Sequence, residues 1–189
     1  MTMQKMVDVS ANNHGDDAPI NWQKVAKSGV RAVMIKATQG TGYVDPWLQR
    51  DAHGARAAGL HVGFYHFGEP GAEILDGPGE ANYCLQKIEG LPRDLGVALD
   101  LEVTNGSSWS VLARYAQAFL DTLDGKVTNR AIYLNNWFLS NLPGAPFGAH
   151  LWLADPGHKP RRTVWAWQSD WHGVVPGIPG TVDLDVLYS

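Results

Sequence analysis

Two acidic side chains stand two residues apart in a segment that otherwise has the pattern of a buried strand. From Val97 to Val103 the odd positions are Val or Leu, whereas Asp100 and Glu102 share the opposite face with Ala98. Burial and a nearby like charge both raise the pKa of a carboxyl group, so the pair suits chemistry that needs one protonated and one ionised carboxyl. The alternative is an edge strand whose acidic face is open to water.

Strand-like and helical segments alternate through the first two thirds of the chain. The predicted strands are residues 6–10, 32–38, 61–67, 97–103 and 131–135, and the predicted helices are residues 21–28, 46–58, 72–88 (interrupted near Gly77-Pro78) and 109–123. Three further strands, 151–154, 164–169 and 181–187, are separated by Pro- and Gly-rich segments too short for crossover helices. This order predicts an α/β fold, an irregular TIM-like barrel of five β/α units followed by three strands without full crossover helices. Residues 1–189 are expected to form this single domain.

A closed barrel would bring acids from three strands to one mouth. Asp8 on the first predicted strand, Asp100 and Glu102 on the fourth, and Asp183 on the eighth all face inward, and catalytic groups of such barrels lie at the C-terminal ends of strands. The first and eighth strands become neighbours when a barrel closes, so the four acids should meet. The other inward side chains expected to bind a substrate there are Tyr65, Tyr133, Trp152 and Gln168.

Several other polar and aromatic residues admit two interpretations. Lys36 shares a predicted inner face with Thr38, where it is either a counter-charge for the acids or, as we favour, a lysine reaching out from the bottom layer. Trp152 and Trp167 are either core residues or walls of a binding site. His66 faces outward, where a histidine satisfied within the core is expected.

Composition excludes several classes of function. The formal net charge is −4 and the basic residues are scattered, so nucleic acid is not an expected partner. We find no signal peptide and no apolar run long enough to span a bilayer. The single cysteine, Cys84, excludes an internal disulfide, and the seven histidines show no paired ligand spacing, so no metal or other cofactor is expected.

Eight short motifs follow one another in the order and spacing of one enzyme family. The chain resembles glycoside hydrolase family 25, the lysozymes of the Chalaropsis type, many of which are phage endolysins. The resemblance runs from about residue 7 to residue 187. The motifs are Val7-Asp8-Val9-Ser10, Ile35-Lys36-Ala37-Thr38-Gln39-Gly40, Gly63-Phe64-Tyr65-His66-Phe67, Leu99-Asp100-Leu101-Glu102, Ile132-Tyr133, Leu151-Trp152-Leu153-Ala154, Trp167-Gln168 and Val182-Asp183-Leu184-Asp185.

The resemblance implies an N-acetylmuramidase, a bacteriolytic hydrolase that cleaves the β-1,4 bond between N-acetylmuramic acid and N-acetylglucosamine in peptidoglycan. It assigns the family's active-site acids to the same four residues that the strand pattern selects. At two places the chain departs from the family. Gln39 stands where members commonly have Glu, and Asp155-Pro156-Gly157 replaces a segment that usually carries an aromatic residue.

Glycoside cleavage needs an acid for the departing oxygen and negative charge near C1. Our hypothesis makes Glu102 the acid, with a pKa raised by Asp100, Asp183 and Asp8. Asp100 and Asp183 would either support the transition state or orient the sugar's acetamido group for a substrate-assisted route. Residues two apart on a strand lie roughly 6.6 Å apart at Cα, which is compatible with both retention and inversion.

Three other functions compete with this interpretation. The acids could chelate a hard cation in a metal-dependent hydrolase, the barrel could be a non-catalytic glycan-binding module, or the enzyme could be a chitinase-like hexosaminidase. For the favoured function we expect a monomer that acts on cell-wall peptidoglycan and carries no separate wall-binding domain. A phage lysin would reside in the host cytoplasm before its release to the wall, and a cellular enzyme would be extracellular.

Overall fold

The computed structural model describes residues 2–71 and 76–188. Over these residues the chain forms nine strands, five α-helices and two single turns of 3-10 helix at Ala11–Asn13 and Gly15–Asp17. The strands and helices in chain order are β1 (Met3–Val9), α1 (Trp22–Lys27), β2 (Val30–Gln39), β3 (Tyr43–Val44), α2 (Leu48–Ala57), β4 (His61–Phe67), α3 (Asp76–Lys87), β5 (Val97–Asp100), α4 (Trp109–Leu123), β6 (Arg130–Asn135), α5 (Asn136–Asn141), β7 (His150–Ala154), β8 (Ala166–Gly173) and β9 (Val182–Tyr188).

Eight of the described strands close into a barrel in the order β1, β2, β4, β5, β6, β7, β8, β9 and back to β1. Neighbours from β1 to β8 are parallel, whereas β9 runs antiparallel to both β8 and β1. The two-residue β3 pairs only with the end of β2. The structure confirms the predicted α/β barrel of five β/α units followed by three strands. The antiparallel direction of β9 was not predicted, and it brings the start of β9 to the rim where the parallel strands end.

The helices follow the capping and apolar signals of the sequence. At the start of α4 the Ser108 side chain accepts a hydrogen bond from the backbone N–H of Val111, and one stripe of α4, including Phe119, is buried against the barrel. Pro78 lies near the start of the described helix, and from Asp76 to Lys87 that helix runs without interruption. The first four residues predicted for this helix, 72–75, lie outside the described residues. The six-residue α5 was not predicted.

The core has two layers because both faces of the sheet are covered. The outer layer, between sheet and helices, contains the alternate apolar residues of the strands and the buried stripes of the helices. The inner layer is made of small or flexible side chains near the N-terminal ends of the parallel strands, with aromatic rings nearer the mouth. These inner residues include Met6, Ala32, Met34, Ala98 and Ala131, followed by Tyr65, Tyr133 and Trp152. Apolar packing therefore fills the bottom and leaves the mouth to polar groups.

A bulge near the end of β2 changes which way its last residues face. Lys36 pairs with Tyr65, but Thr38 pairs with His66, so β2 contains one extra residue between the two pairs. Thr38 therefore turns to the helix layer, where its hydroxyl lies 2.8 Å from Nδ1 of His66. The predicted inward direction of Thr38 was wrong because simple alternation fails at a bulge. The outward direction predicted for His66 is confirmed, and its Nε2 lies 2.6 Å from the Glu80 carboxyl.

Candidate active site

A cavity of about 380 Å³ opens at the mouth of the barrel, at the C-terminal ends of the parallel strands. All eight residues that the sequence predicts for the site line it: Asp8, Asp100, Glu102, Asp183, Tyr65, Tyr133, Trp152 and Gln168. Ser10, Asn12, Asn13, Lys36, Phe67, Trp171 and Thr181 complete the lining. The predicted residues thus share one site, and the role of each stays a prediction.

Strand pairing brings Asp8 and Asp183 together at the seam where β1 and β9 close the barrel, and we call them the seam aspartates. Asp8 near the end of β1 is the direct pairing partner of Asp183 near the start of β9. Directly opposite residues on antiparallel strands have close side chains, so the two carboxyl groups stand side by side. Asp183 therefore reaches the common mouth from the N-terminal end of its strand, and not from a C-terminal end as predicted.

Glu102 lies beyond the end of its strand, which corrects the predicted strand over 97–103. The β5 ladder ends at Asp100, and the backbone N–H of Leu101 makes one further hydrogen bond of 3.2 Å to the carbonyl of Tyr133. Asp100 is buried, with 7% of its surface exposed, whereas Glu102 opens to solvent at the mouth. Asp100 thus lies deeper in the barrel than Glu102, so a large ligand that enters the cavity reaches Glu102 first.

Both polar atoms of the Gln168 side chain, on β8, make hydrogen bonds to other residues of the site. Its amide nitrogen donates to Oδ2 of Asp8 at 2.9 Å and to Oδ2 of Asp183 at 3.1 Å. Its amide oxygen accepts from the Tyr133 hydroxyl at 2.8 Å and from the Trp171 indole N–H at 2.7 Å. Because an indole can only donate, the amide orientation is fixed. Gln168 thus holds one oxygen of each aspartate, and its predicted role in binding substrate stays a prediction.

Trp152 forms the floor of the cavity and also belongs to the core. It is 2% exposed, and its ring packs edge-on against Tyr133 at a centroid distance of 4.8 Å. Tyr65 packs against the same ring at 6.3 Å. Trp167 instead faces outward and donates its indole N–H to the carbonyl of Asp155 at 2.9 Å. Trp152 thus lies both in the core and against the cavity, whereas Trp167 packs in the outer core, and contact of Trp152 with a substrate stays a prediction.

Burial and mutual repulsion raise the pKa of the seam aspartates. The pKa of Asp8 rises to about 7, first through burial and then through the charge of Asp183, while hydrogen bonds from Gln168 and Asp185 lower it. The pKa of Asp183 rises to about 6 through burial and the charge of Glu102. A pair of carboxyl groups that titrates near neutral pH can exchange protons at little cost, as acid–base chemistry requires.

The pKa of Glu102 is raised by loss of hydration and not, as predicted, by its acidic neighbours. A hydrogen bond from Asp100 and the charge of Lys36 both lower it. The pKa of Asp100 lies well above its usual range because this deeper carboxyl is buried beside Glu102 and Asp8. The hydrogen bond between the two carboxyl groups therefore favours the protonated form of Asp100 and the ionised form of Glu102.

Lys36 stands at the rim, which contradicts the favoured interpretation of a lysine at the bottom of the barrel. Its ammonium lies 4.9 Å from the Phe67 ring centre and donates to Oε1 of Gln39 at 2.8 Å. The amide of Gln39 in turn donates to Glu69 at 2.7 Å. The carboxylate that contacts Gln39 thus belongs to Glu69, which follows the end of the adjacent strand β4. Burial lowers the pKa of Lys36, and Asp100 opposes that shift.

Asp185 and Trp171 hydrogen-bond to predicted site residues but were not themselves predicted from the sequence. Asp185 lies below the cavity, buried at 3% exposure, and its carboxylate accepts the Trp152 indole N–H at 2.7 Å. Its spacing of two from Asp183 repeats the spacing of Asp100 and Glu102, so the same alternation argument could have found it. Trp171, 51% exposed at the rim, lies within the second of two irregularities in the β8 pairing, between Asp170 and Gly173, and no simple pattern predicts its position.

Among residues 2–71 and 76–188, no group of three His, Cys, Asp or Glu side chains has a geometry suited to a metal ion. In the same described part of the chain, no helix has the length and apolar content needed to cross a membrane.

A β/α barrel with clustered carboxyl groups at one rim is an arrangement typical of glycoside hydrolases. The sequence profile described as glycosyl hydrolases family 25 matches residues 7–178. The chain therefore belongs to glycosyl hydrolases family 25.

Three known proteins illustrate the similarity. An autolytic lysozyme of Clostridium acetobutylicum is 34% identical over 170 residues, a match that covers 88% of this chain and 51% of that protein. An N,O-diacetylmuramidase of Chalaropsis is 31% identical over 135 residues, covering 64% and 63%. The crystal structure of a lysozyme from Streptomyces coelicolor superposes with a TM-score of 0.82 at 23% identity, covering 100% of this chain and 94% of that one. The chain thus spans about half the length of the clostridial relative.

Acidic conditions should stabilise the fold. The folded pKa values of Asp8 (about 7) and Asp183 (about 6) exceed the ordinary value of 3.8, so between roughly pH 4 and 7 the folded chain binds more protons than the unfolded one. We expect the free energy of unfolding, measured with urea, to fall by roughly 3 kcal/mol from pH 5 to pH 8, most of it from Asp8. The double variant Asp8→Asn with Asp183→Asn should show a shallower dependence. An equally steep dependence in the double variant would contradict the assignment.

Replacing Gln168 should raise the pKa of Asp8. The Gln168→Met variant keeps the length of the side chain but removes the N–H donor that stabilises the Asp8 carboxylate. Carbon-detected NMR titration of the carboxyl groups should then place the Asp8 pKa above its wild-type value. Asp94, at the opposite end of the barrel, serves as the internal control and should titrate as before. An unchanged Asp8 pKa would show that Gln168 does not hold this carboxylate.

Proposed function

We propose that this chain is an N-acetylmuramidase, a lysozyme that hydrolyses the β-1,4 bond between N-acetylmuramic acid and N-acetylglucosamine in bacterial peptidoglycan. The observation that carries the proposal is the set of four carboxyl groups, with raised pKa values, around one open cavity of a family 25 barrel. The names of the relatives, an autolytic lysozyme and an N,O-diacetylmuramidase, support this substrate and this bond.

Glu102 is the proton donor to the departing oxygen. It is the member of the Asp100 and Glu102 pair that opens to the cavity, and it shares a proton with the buried member through their hydrogen bond. A sugar that covers Glu102 removes more of its water, which raises its pKa and draws the shared proton from Asp100 to Glu102. The proton then passes to the glycosidic oxygen as the C1–O bond breaks, leaving the negative charge on the carboxyl pair.

Asp183 and Asp8 provide negative charge on the opposite side of the cavity. The two N–H groups of Gln168 hold one oxygen of each, which fixes their direction without neutralising them. A positive charge that develops at C1 is stabilised by such oriented carboxylates. Two routes use this arrangement: direct support of the transition state by a carboxylate, or attack by the acetamido oxygen while Asp100 or Asp183 orients its nitrogen.

The site continues into a groove that suits a polymer. A second cavity of about 530 Å³ shares Asn12 and Lys36 with the first and is also lined by Gln39, Gly42, Tyr43 and Glu69. Tyr43 is 40% exposed and offers an aromatic face of the kind that packs on sugar rings. A glycan strand therefore has room to extend beyond the cleaved bond. We further propose that the protein acts as a monomer, at the cell wall.

The variant Glu102→Gln tests the acid role. The new amide would keep the shape of the side chain but could not deliver a proton, so the rate of turbidity clearing of bacterial cell walls should fall at least about 100-fold. Glu89→Gln, at an exposed position far from the mouth, is the matched control and should retain wild-type activity. Thermal unfolding should show both variants folded. A folded Glu102→Gln protein with near wild-type clearing would remove Glu102 from this role.

Analysis of the products tests the bond specificity. Mass spectrometry of digested and reduced peptidoglycan should find reducing ends that are muramic acid. Glucosamine at the new reducing ends would instead indicate a hexosaminidase of the chitinase-like kind, and no release of fragments would indicate a glycan-binding barrel. NMR of the first-formed anomer separates the two routes: the acetamido route produces retained configuration, and an inverted product would exclude it.

A further inference from the structure

Asp185 is the most deeply placed acid of the barrel interior among the described residues that surround the site. It lies in the middle of β9, opposite Met6 of β1 on one side and Gln168 of β8 on the other. It is 3% exposed and does not line the cavity. No step of the proposed reaction uses it, yet an isolated buried carboxylate is costly. Its presence below the seam aspartates therefore needs a physical account.

The hydrogen bonds around Asp185 leave one of its oxygens without a donor. Oδ1 accepts the Trp152 indole N–H at 2.7 Å. Oδ2 is buried, and no donor group from the described residues reaches it. The nearest amide, Gln168, already gives both of its N–H groups to Asp8 and Asp183. The Asp8 carboxyl, however, is within hydrogen-bonding reach of Asp185.

Two carboxyl groups in contact can form a hydrogen bond only if one of them carries a proton. The titratable groups that face Asp185 are Asp8 on β1, Asp183 on the same strand and the Tyr133 hydroxyl on β6. Trp152 on β7 and Gln168 on β8 face it without charge. The acidic neighbours and the burial both favour a protonated Asp185, since each disfavours another negative charge.

We propose that Asp185 is a positioning residue whose carboxyl group is protonated and donates a hydrogen bond from Oδ2 to the Asp8 carboxylate. Asp8 then accepts one hydrogen bond from Gln168 above and one from Asp185 below. It keeps its negative charge and its direction at the mouth of the barrel. This consequence for catalysis rests on the proposed muramidase function, whereas the protonation of Asp185 does not.

The raised pKa of Asp185, caused by burial and the charge of Asp8, agrees with a proton at this position near neutral pH. The same hydrogen bond acts in the opposite direction on Asp8 and lowers its pKa. The two pKa shifts have one cause. The proton stays on Asp185, the deeper carboxyl group, and its hydrogen bond favours the ionised form of Asp8.

The pKa of Asp8 in two variants tests the proposal, measured by carbon-detected NMR titration. In Asp185→Asn the amide copies the protonated carboxyl, because its NH₂ can donate to Asp8 and its oxygen can accept from Trp152. The Asp8 pKa should stay within about half a unit of its wild-type value, near 7. In Asp185→Leu the donor is lost and the Asp8 pKa should rise by about one unit or more.

An ionised Asp185 would give a different result in the same two titrations. If Asp185 were ionised, both variants would remove a negative charge beside Asp8, and the Asp8 pKa would fall in both. A fall in Asp185→Asn alone is enough to overturn the proposal, so the test does not depend on the folding of Asp185→Leu. Thermal unfolding near pH 7 adds a second readout, because Asp185→Asn should be at least as stable as the wild type.

Cell-wall clearing tests whether the proton on Asp185 contributes to the proposed reaction. Asp185→Asn should keep activity within about threefold and retain it to higher pH, since the amide has no proton to lose. Asp185→Leu should lower kcat about tenfold, with KM changed less than about threefold. Equal losses in the two variants would show that a carboxyl group is needed at position 185 for another reason. If the wild type itself lacks activity, the muramidase proposal fails, and the Asp8 titration still decides the protonation of Asp185.

Discussion

The site depends on one electrostatic constraint: several carboxyl groups share a small, partly dehydrated mouth, and they cannot all be ionised there. Lost hydration raises the pKa of Asp8, Asp100, Glu102 and Asp183, and repulsion by neighbouring carboxylates adds to the shift at Asp8, Asp100 and Asp183. The chain meets this constraint in two ways. Asp100 and Glu102 share a proton, and the amide of Gln168 supplies donors to Asp8 and Asp183. Lys36 at the rim adds the only ammonium group that lines the cavity in the described residues.

Barrel geometry makes this balance possible because it sets the acids at different depths. The antiparallel β9 pairs Asp183 directly with Asp8, while Asp185 lies two residues further down the same strand. On the other side, β5 ends at Asp100 and leaves Glu102 on the connecting segment. Each side of the mouth thus has a deep acid and a shallow one. In the proposed mechanism the deep carboxyl groups keep their protons and the shallow ones contact the substrate, so the two tasks fall to different residues.

Much of this arrangement is encoded in local sequence patterns. Alternation within strands was enough to bring Asp8, Asp100, Glu102 and Asp183 to one cavity, and the periodicity of α4 fixed that helix to the residue. Alternation failed where the backbone departs from a regular ladder, as at the bulge that turns Thr38 outward and at the irregular β8 that carries Trp171. The direction of β9 and the amide contacts of Gln168 depend on partners that lie far away in sequence, and local patterns carry no information about either.

The antiparallel closing strand also bears on how the protein is made. Asp183 and Asp185 both come from β9, the last strand of the described chain. This strand pairs with β8 on one side and β1 on the other, which lie far apart in the sequence. During synthesis on a ribosome, the first seven barrel strands can emerge and begin to pack while the seam is still open. The acidic cluster is complete only when the final strand docks, so maturation of the site coincides with ring closure of the whole barrel.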